Sequence, residues 1–287
     1  MTATAIGLLI ALLVRLAMGE MSWGVSTDFI LFAIPLFVLL GELLLRSGIA
    51  ERMYGAMSQW LSWLPGGLMH SNIGTCTLFA AVSGSSVATA ATIGTVAVGE
   101  IDRHHYNERL FLGTIAAGGT LGILIPPSIV MIVYGALTET SIPQLYLAGI
   151  IPGLVLAGLF MGTVIIACLI RPAWGGDRIN ISWAQRWRTL PDLLPPLIIF
   201  VVVIGSIYAG LATPTESAAL GVLMAMVLAG FRRRLTWEML RLSLEGTMRT
   251  SAMIMLILVA ASFLSFIITS VGIGRQVTDM ITASGMT

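Results

Sequence analysis

Hydrophobic composition is the feature that most constrains the fold of this chain, because 57% of its 287 residues are hydrophobic and only 10% are charged. A soluble domain is about 45–50% apolar and about 25% charged, so this chain has too little charge to cover a soluble globule. A disordered chain needs the opposite balance and is also excluded. The 31 glycines and 11 prolines exclude a bundle of simple, uninterrupted helices. The composition predicts an all-α, polytopic membrane protein with broken segments.

Charge and motif content exclude several functional classes. The net charge is +1 and no basic tract is interleaved with aromatic residues, which argues against a nucleic-acid partner. No nucleophile elbow or phosphate loop occurs, so we expect neither an enzyme nor a bound cofactor. Cys76 and Cys168 lie in apolar runs and are interpreted as small buried residues. His104 and His105 predict a solvated turn, because no metal-ligand spacing surrounds them.

Apolar stretches indicate where the chain crosses a membrane, which takes about 20 residues per helix. Candidate spans are 3–18 (short), 27–45, 145–170, 193–211, 215–231 and 250–270. Two amphipathic stretches, 49–64 and 237–248, are predicted to be helices lying at the membrane interface.

Two further apolar stretches are too long for one simple span. Residues 68–99 are divided by the Ser-Gly-Ser-Ser sequence at 83–86, and residues 110–137 contain Pro126 and Pro127 in their middle. Each half of 68–99 is too short for a full crossing, which favours a re-entrant hairpin over two spans. We interpret 110–137 as one broken helix.

The arginines indicate sidedness, because short cytoplasmic loops carry the excess of basic residues. If the hairpin enters and leaves on one side and the broken helix crosses once, all the basic loops lie on the same side of the membrane. These loops, predicted to be cytoplasmic, are 46–67, 100–109, 171–191 and 232–249. The loops predicted to lie opposite contain no arginine and are 19–26, 138–143 and 212–214.

A repeated pattern links two distant parts of the chain. The apolar segment 32–45 is followed by Ser47-Gly48-Ile49, and 253–268 is followed by Val271-Gly272-Ile273. Because the two units would leave the membrane on opposite sides, the pattern is typical of an inverted-repeat transporter. The alternative is coincidence among apolar helices. On the first interpretation, 27–170 is one repeat and 193–287 begins a second, with 1–287 forming one membrane-domain fragment.

The predicted hairpin tip has the chemistry to hold ions. Carbonyls that end the first arm, together with hydroxyl oxygens, are suited to a sodium ion, and free N–H groups at the start of the second arm favour an anion. The alternative is that small residues only permit close helix packing. The candidate residues at this tip are Ser83, Gly84, Ser85, Ser86 and Thr89.

The predicted broken helix offers a second set of polar groups. Pro126 and Pro127 have no N–H, which frees carbonyls one turn earlier, and Ser128 follows directly. In hydrocarbon these carbonyls must be satisfied by an ion, a substrate, water or neighbouring helices. A purely structural kink is the alternative. Gly119 and Thr120 lie in the turn before the break and complete this group of candidates.

Two other polar pairs have structural interpretations. Thr213 and Glu216 flank a proline in the pattern of a helix N-cap with a capping box. Glu42 and Arg46 are spaced for an ion pair along one helix.

Several motifs occur in the order found in one transporter family. They are Ile34-Pro35-Leu36-Phe37, Gly41-Glu42-Leu43, the Ser-Gly-Ser-Ser block at 83–86, the segment 118–128 ending in Pro-Pro-Ser, and Thr213-Pro214-Thr215-Glu216. Together they resemble the large membrane subunit of the tripartite ATP-independent periplasmic (TRAP) transporters. The resemblance runs from about residue 32 to about residue 284.

This resemblance implies a sodium-driven, elevator-type importer of organic acids, such as C4-dicarboxylates or sialic acids, in the bacterial inner membrane. It implies an ion-transporter-type fold, a small four-helix membrane subunit, and a periplasmic binding protein that delivers the substrate. Residues 49–64 would be an arm helix. The hairpin tip and the broken helix would border the substrate and a sodium site formed by Ser83, Ser85, Ser86 and Thr120.

The resemblance also implies that the chain is truncated at both ends. Relatives have a further span before 3–18, and they continue with a second hairpin and a second Pro-Pro break. An intact inverted repeat would need roughly 420 residues. Two rival interpretations remain open: a stand-alone sodium–dicarboxylate symporter, and an inactive membrane scaffold fragment.

Overall fold

The computed structural model describes residues 2–177 and 181–283, which are predominantly helical and contain no strand. Its α-helices are α1 Thr2–Thr27, α2 Ala33–Arg46, α3 Ile49–Leu61, α4 Leu68–Ser83, α5 Ser86–Ala97, α6 Gly99–Arg103, α7 Glu108–Leu124, α8 Ile129–Thr138, α9 Ile142–Ile170, α10 Trp183–Thr189, α11 Leu194–Tyr208, α12 Pro214–Phe231, α13 Trp237–Val271 and α14 Ile273–Ala283. Short 3-10 turns at Pro172–Gly175 and Leu190–Leu193 precede α10 and α11.

The helices confirm the prediction of an all-α polytopic membrane protein. Among the described residues, 5 helical stretches are long and apolar enough to cross a bilayer, and a sixth arises if α2 and α3, bent by 68°, are counted as one. The five are Glu108–Thr138, Ile142–Ile170, Trp183–Tyr208, Pro214–Phe231 and Trp237–Val271.

Two predicted boundaries are wrong. The interfacial helix predicted at 237–248 is not a separate element, because α13 continues without interruption into the following span. Gly246, the only helix breaker near that junction, is accommodated within the helix. The loop predicted at 19–26 is likewise helical as part of α1. In both places a change in polarity occurs without a proline to stop the backbone hydrogen bonding.

The described residues form two compact units. One combines the residues up to Leu31 with those from Arg249 onward, and the other runs from Phe32 to Met248. Every candidate site residue predicted from the sequence belongs to the second unit.

Helix α4 lies in the interior of the second unit, where it packs against α2, α3, α5, α7, α9 and α11. Its polar residues are buried with its apolar ones, and Asn72 is fully buried. The Tyr54 hydroxyl of α3 donates to Asn72 Oδ1 at 3.0 Å, and Asn72 Nδ2 donates to Thr114 Oγ1 of α7 at 2.9 Å. Because a buried polar group is stabilised only when it is paired, this chain of hydrogen bonds fixes α4 between α3 and α7.

The two glycines of the predicted repeat share one local geometry. Gly48 has a φ of +73° and Gly272 a φ of +74°, values that favour glycine. Each is followed at once by a helix, α3 beginning at Ile49 and α14 at Ile273. The repeat remains a prediction. If it is real, the two matching junctions should have the same backbone turn, and Gly48 and Gly272 do.

Candidate functional site

The hairpin predicted at 68–99 is interrupted at its tip by two residues with different roles. Helix α4 ends where Gly84 adopts a φ of +63°, and the Gly84 N–H donates to the Ala80 carbonyl at 3.1 Å. Helix α5 begins after Ser85, whose Oγ accepts from the Ala88 N–H at 3.3 Å. A left-handed glycine ends one helix and a serine N-cap starts the next, so the break follows directly from the local sequence.

Hydroxyl groups are concentrated and buried at this tip. Ser83 and Thr89 are 1% and 0% exposed, and their hydroxyl oxygens lie 3.2 Å apart. The Thr89 hydroxyl also donates to the Ser85 carbonyl at 2.7 Å. Thr92, one turn further along α5, is buried and its Oγ1 has no hydrogen-bond partner among the described residues. The tip therefore holds several neutral oxygen atoms away from solvent.

The second predicted break separates α7 from α8 at Pro126 and Pro127, which are joined by a cis peptide bond. Pro127 has no N–H for the carbonyl of Ile123, and the Ser128 hydroxyl donates to that carbonyl instead, at 2.7 Å. Pro126 has none for the carbonyl of Gly122. One of the two carbonyls freed by the prolines is therefore satisfied within the break itself.

The two breaks are in direct contact. The Ile129 N–H at the start of α8 donates to the Gly84 carbonyl at the hairpin tip, at 3.1 Å. A Cβ on Gly84 would lie 2.6 Å from the Pro127 carbonyl oxygen, and a Cβ on Gly122 would lie 2.8 Å from the Ser86 nitrogen. Only glycine lets the two interrupted backbones approach this closely.

The predicted site residues are mostly brought together by this contact. Gly119 packs against α5, where an added Cβ would lie 2.7 Å from the Ala90 Cβ. Thr120 is the exception, because it is exposed and its hydroxyl donates to the Ala117 carbonyl of its own helix at 2.7 Å. The residues gathered around the two breaks are Ser83, Gly84, Ser85, Ser86, Thr89, Gly119, Pro126, Pro127 and Ser128.

Gly41 and Gly122 were not among the site residues predicted from the sequence. A Cβ on Gly41 of α2 would lie 3.1 Å from the Ser83 Cβ, so α2 supports the tip from another side. On α9, a Cβ on Gly149 would lie 2.5 Å from the Leu124 carbonyl oxygen, next to the second break. A glycine within an apolar helix indicates that another segment packs closely there, but it does not identify that segment.

Polar groups that were assigned structural roles have those roles. Thr213 and Glu216 form the predicted capping box at the start of α12. Glu42 and Arg46 form the predicted ion pair at 3.0 Å. In the turn after α6, His105 Nδ1 lies 2.9 Å from the Asp177 carboxylate, and its side chain is 80% exposed. In the described part of the chain, no cluster of three His, Cys, Asp or Glu residues is placed to hold a metal ion.

Comparison with known proteins identifies the family. The family model for the tripartite ATP-independent periplasmic transporter, DctM component, matches residues 1–287. The C4-dicarboxylate TRAP transporter large permease protein DctM of Pseudomonas aeruginosa is 33% identical over 91% of this chain and 61% of its own length. The corresponding protein of Rhodobacter capsulatus is 34% identical over 90% of this chain and 62% of its own length.

A relative named for another substrate matches similarly. The sialic acid TRAP transporter large permease protein SiaM of Vibrio cholerae is 30% identical over 93% of this chain and 62% of its own length. The chain thus spans about three fifths of the length of these relatives. These relatives are transporter permeases and not enzymes, which agrees with the prediction from the motifs. The chain belongs to the DctM component family of the tripartite ATP-independent periplasmic transporters.

Proposed function

We propose that this chain is part of the large permease subunit of a sodium-coupled secondary transporter that imports an organic-acid anion across the bacterial inner membrane. The observation that carries the proposal is the contact between the two helix breaks, in which Ile129 N–H donates to the Gly84 carbonyl at 3.1 Å. Interrupted helices expose backbone carbonyls and N–H groups inside an apolar protein, and transporters use such groups to bind substrates and ions.

Oxygen atoms at the tip support a sodium site. Sodium is a hard cation, and carbonyl and hydroxyl oxygens suit such ions. Ser83 Oγ is buried and lies 3.2 Å from Thr89 Oγ1. Ser83 is also the last residue of α4, so the last backbone carbonyls of that helix belong to the same tip. In the proposed site Ser83, Ser85 and Ser86 supply oxygens from the tip. In the same proposal Thr120 contributes its hydroxyl oxygen, which keeps its lone pairs for the ion while its proton is donated to the Ala117 carbonyl.

The first turn of α5 supports an anion site beside the cation. The N-terminal turn of a helix has N–H groups without intrahelical partners and the positive end of the helix dipole. Ser85 Oγ accepts from the Ala88 N–H. The N–H groups of Ser86 and Val87, in the same first turn, are the proposed donors to a substrate carboxylate. The Val87 side chain is 76% exposed, so this turn is accessible.

The relatives supply the proposed substrate class and partners. Their names specify C4-dicarboxylate and sialic acid, both of which are organic acids. A further relative, the large permease protein TeaC of Halomonas elongata, is named for ectoine. A tripartite transporter implies two further components, which we propose to be a small four-helix membrane subunit and a periplasmic binding protein. Elevator-type movement of the hairpin and broken helix belongs to the same proposal.

We further propose that the basic loops face the cytoplasm. These loops meet at one end of the second unit: Trp60 Nε1 donates to the Arg186 carbonyl, Asn107 N–H donates to the Trp174 carbonyl, and Arg232 lies 3.7 Å from Asp192. Loops can contact each other only if they lie on the same side of the membrane, so these contacts support the grouping that the arginine pattern predicts.

Uptake in proteoliposomes tests the proposed function. The complete large subunit is reconstituted with the small subunit and the binding protein, and uptake of the ligand that the binding protein retains is measured with and without an inward sodium gradient. We expect uptake only when both the gradient and the binding protein are present. Uptake that ignores sodium would contradict the coupling. Uptake without the binding protein would favour the stand-alone symporter instead.

A further inference from the structure

A polar cavity is lined by none of the residues gathered around the two helix breaks. It has a volume of about 430 Å³ and is formed by the turn after α3, the end of α9, residues from 172–177 together with Ile181, and α10. Its lining includes Ser62, Trp63, Leu169, Asp177 and Arg186. Apart from the end of α9, these elements belong to the arginine-rich loops of the second unit.

Two buried polar atoms at this cavity have no partner among the described residues. Ser62 is 6% exposed, and its Oγ makes no hydrogen bond. The Nε of Arg186 is also buried and makes none. A buried hydroxyl or guanidinium N–H without a partner is unfavourable, so the pair implies a ligand that accepts hydrogen bonds.

The arginine is held in place by aromatic residues. Its guanidinium lies over the Trp183 ring, 4.7 Å from the ring centroid, and its backbone carbonyl accepts from Trp60 Nε1 at 3.2 Å. Trp60 in turn packs edge-to-face against Trp187, with ring centroids 5.8 Å apart. A guanidinium fixed in this way is pre-organised to bind an anion, phosphate above all.

The surroundings indicate that this anion belongs to a lipid. Tryptophan is enriched at the headgroup level of membranes, and the rings of Trp63 and Trp183 are both 66% exposed beside the cavity. Leu169 lines the cavity and is 65% exposed at the end of α9. Only 22% of the most apolar stretch of this helix is buried within the protein. The cavity therefore opens onto an apolar surface that suits acyl chains.

We propose that this cavity binds the phosphate of a phospholipid headgroup, with Arg186 and Ser62 as donors and the acyl chains along α9. The Asp177 carboxylate also lines the cavity, where it is 65% exposed and lies 2.9 Å from His105 Nδ1. Lipids with a phosphate group bind at such basic pockets between membrane helices.

Thermal unfolding of the complete, purified protein in detergent tests this proposal with three probes: dioctanoyl phosphatidylglycerol, dioctanoylglycerol and inorganic phosphate. We expect only the phospholipid to raise the unfolding temperature. Arg186→Gln should weaken its apparent affinity about tenfold or more, because a charge-assisted hydrogen bond is lost. Arg188→Gln is the matched control, since it removes the same charge from the same helix at an exposed position outside the cavity.

A second variant separates binding from folding. Ser62→Ala removes a hydroxyl that has no hydrogen-bond partner among the described residues, so the unfolding temperature without added lipid should not fall, while the phospholipid-induced shift should shrink. Equal weakening by Arg186→Gln and Arg188→Gln would overturn the proposal in favour of general surface charge. Equal stabilisation by inorganic phosphate would assign the cavity to a soluble anion, and equal stabilisation by dioctanoylglycerol would remove the phosphate from the explanation.

Discussion

The Ser85 hydroxyl caps a helix, and the proposed function gives the same group a second role. Its Oγ caps α5 by accepting from the Ala88 N–H at 3.3 Å, and under the proposed function the same oxygen contributes to a sodium site. An alanine substitution would remove both the cap and the ligand. Loss of transport in that variant alone would therefore not show that sodium binds there.

Comparing two substitutions at Ser85 separates these roles. Ser85→Ala should lose the cap at about 0.5–2 kcal/mol, whereas glycine at an N-cap loses only a few tenths. We expect both variants to insert normally and both to lose sodium-dependent uptake, because each lacks the hydroxyl oxygen. The measurement is uptake against sodium concentration, together with unfolding temperature. Sodium-dependent uptake that survives in Ser85→Gly would mean that the serine acts only as a cap.

The contacts that could be predicted from the sequence join residues within one helical turn of each other. The capping box of Thr213 and Glu216 and the ion pair of Glu42 and Arg46 are set by helix geometry over one turn. By contrast, the packing of Gly41 against Ser83 joins α2 to the hairpin tip. No local rule specifies such a partner, because it depends on how whole helices pack.

At the level of elements, the glycines of α7 give this helix a separate contact with each part of the hairpin. A Cβ added to Gly118 would lie 2.9 Å from the Cys76 Cβ of α4, and one added to Gly119 would lie 2.7 Å from the Ala90 Cβ of α5. A Cβ added to Gly122 would lie 2.8 Å from the Ser86 nitrogen. Small residues let helices approach closely in membranes. Helix α7 is thus fitted along the hairpin from its first arm to its tip.

Gly122→Ala should separate the two helix breaks. The new methyl group would meet the backbone of Ser85 and Ser86, which cannot move like a flexible side chain. We expect a lower unfolding temperature and loss of uptake. Gly113→Ala on the same helix is the control, because a Cβ there meets nothing within 4 Å and alanine favours the helix by about 0.8–1.0 kcal/mol. Equal behaviour of the two variants would show that the close contact at Gly122 has no role in transport.

Helix interruptions were predictable wherever the residues themselves impose them. The breaks at Gly84 and at Pro126 lie where the sequence predicted them, because glycine permits a positive φ and proline removes a donor. The junction at Met248 was predicted wrongly, since it rested on a change from amphipathic to apolar residues. Such a change predicts where a helix sits in a membrane, but it does not end the helix.

At the scale of the whole molecule, the arginine pattern groups loops that are distant in sequence. The structure places parts of these loops in contact, for example through the hydrogen bond from Asp177 N–H to the His104 carbonyl at 2.9 Å. The arginine bias of the sequence acts on orientation during insertion, and the packed helices do not record which side of the membrane this end faces. Sidedness therefore has to be measured.

Labelling of introduced cysteines measures it. Arg188→Cys lies in a loop proposed to be cytoplasmic and Thr140→Cys in a loop proposed to be periplasmic, and both native residues are exposed. The native Cys76 and Cys168 are only 0% and 5% exposed, so the unmodified protein should give little background. A membrane-impermeant maleimide added to cells with a permeabilised outer membrane should label Thr140→Cys alone, and after lysis it should label both. Labelling of Arg188→Cys before lysis would reverse the proposed orientation.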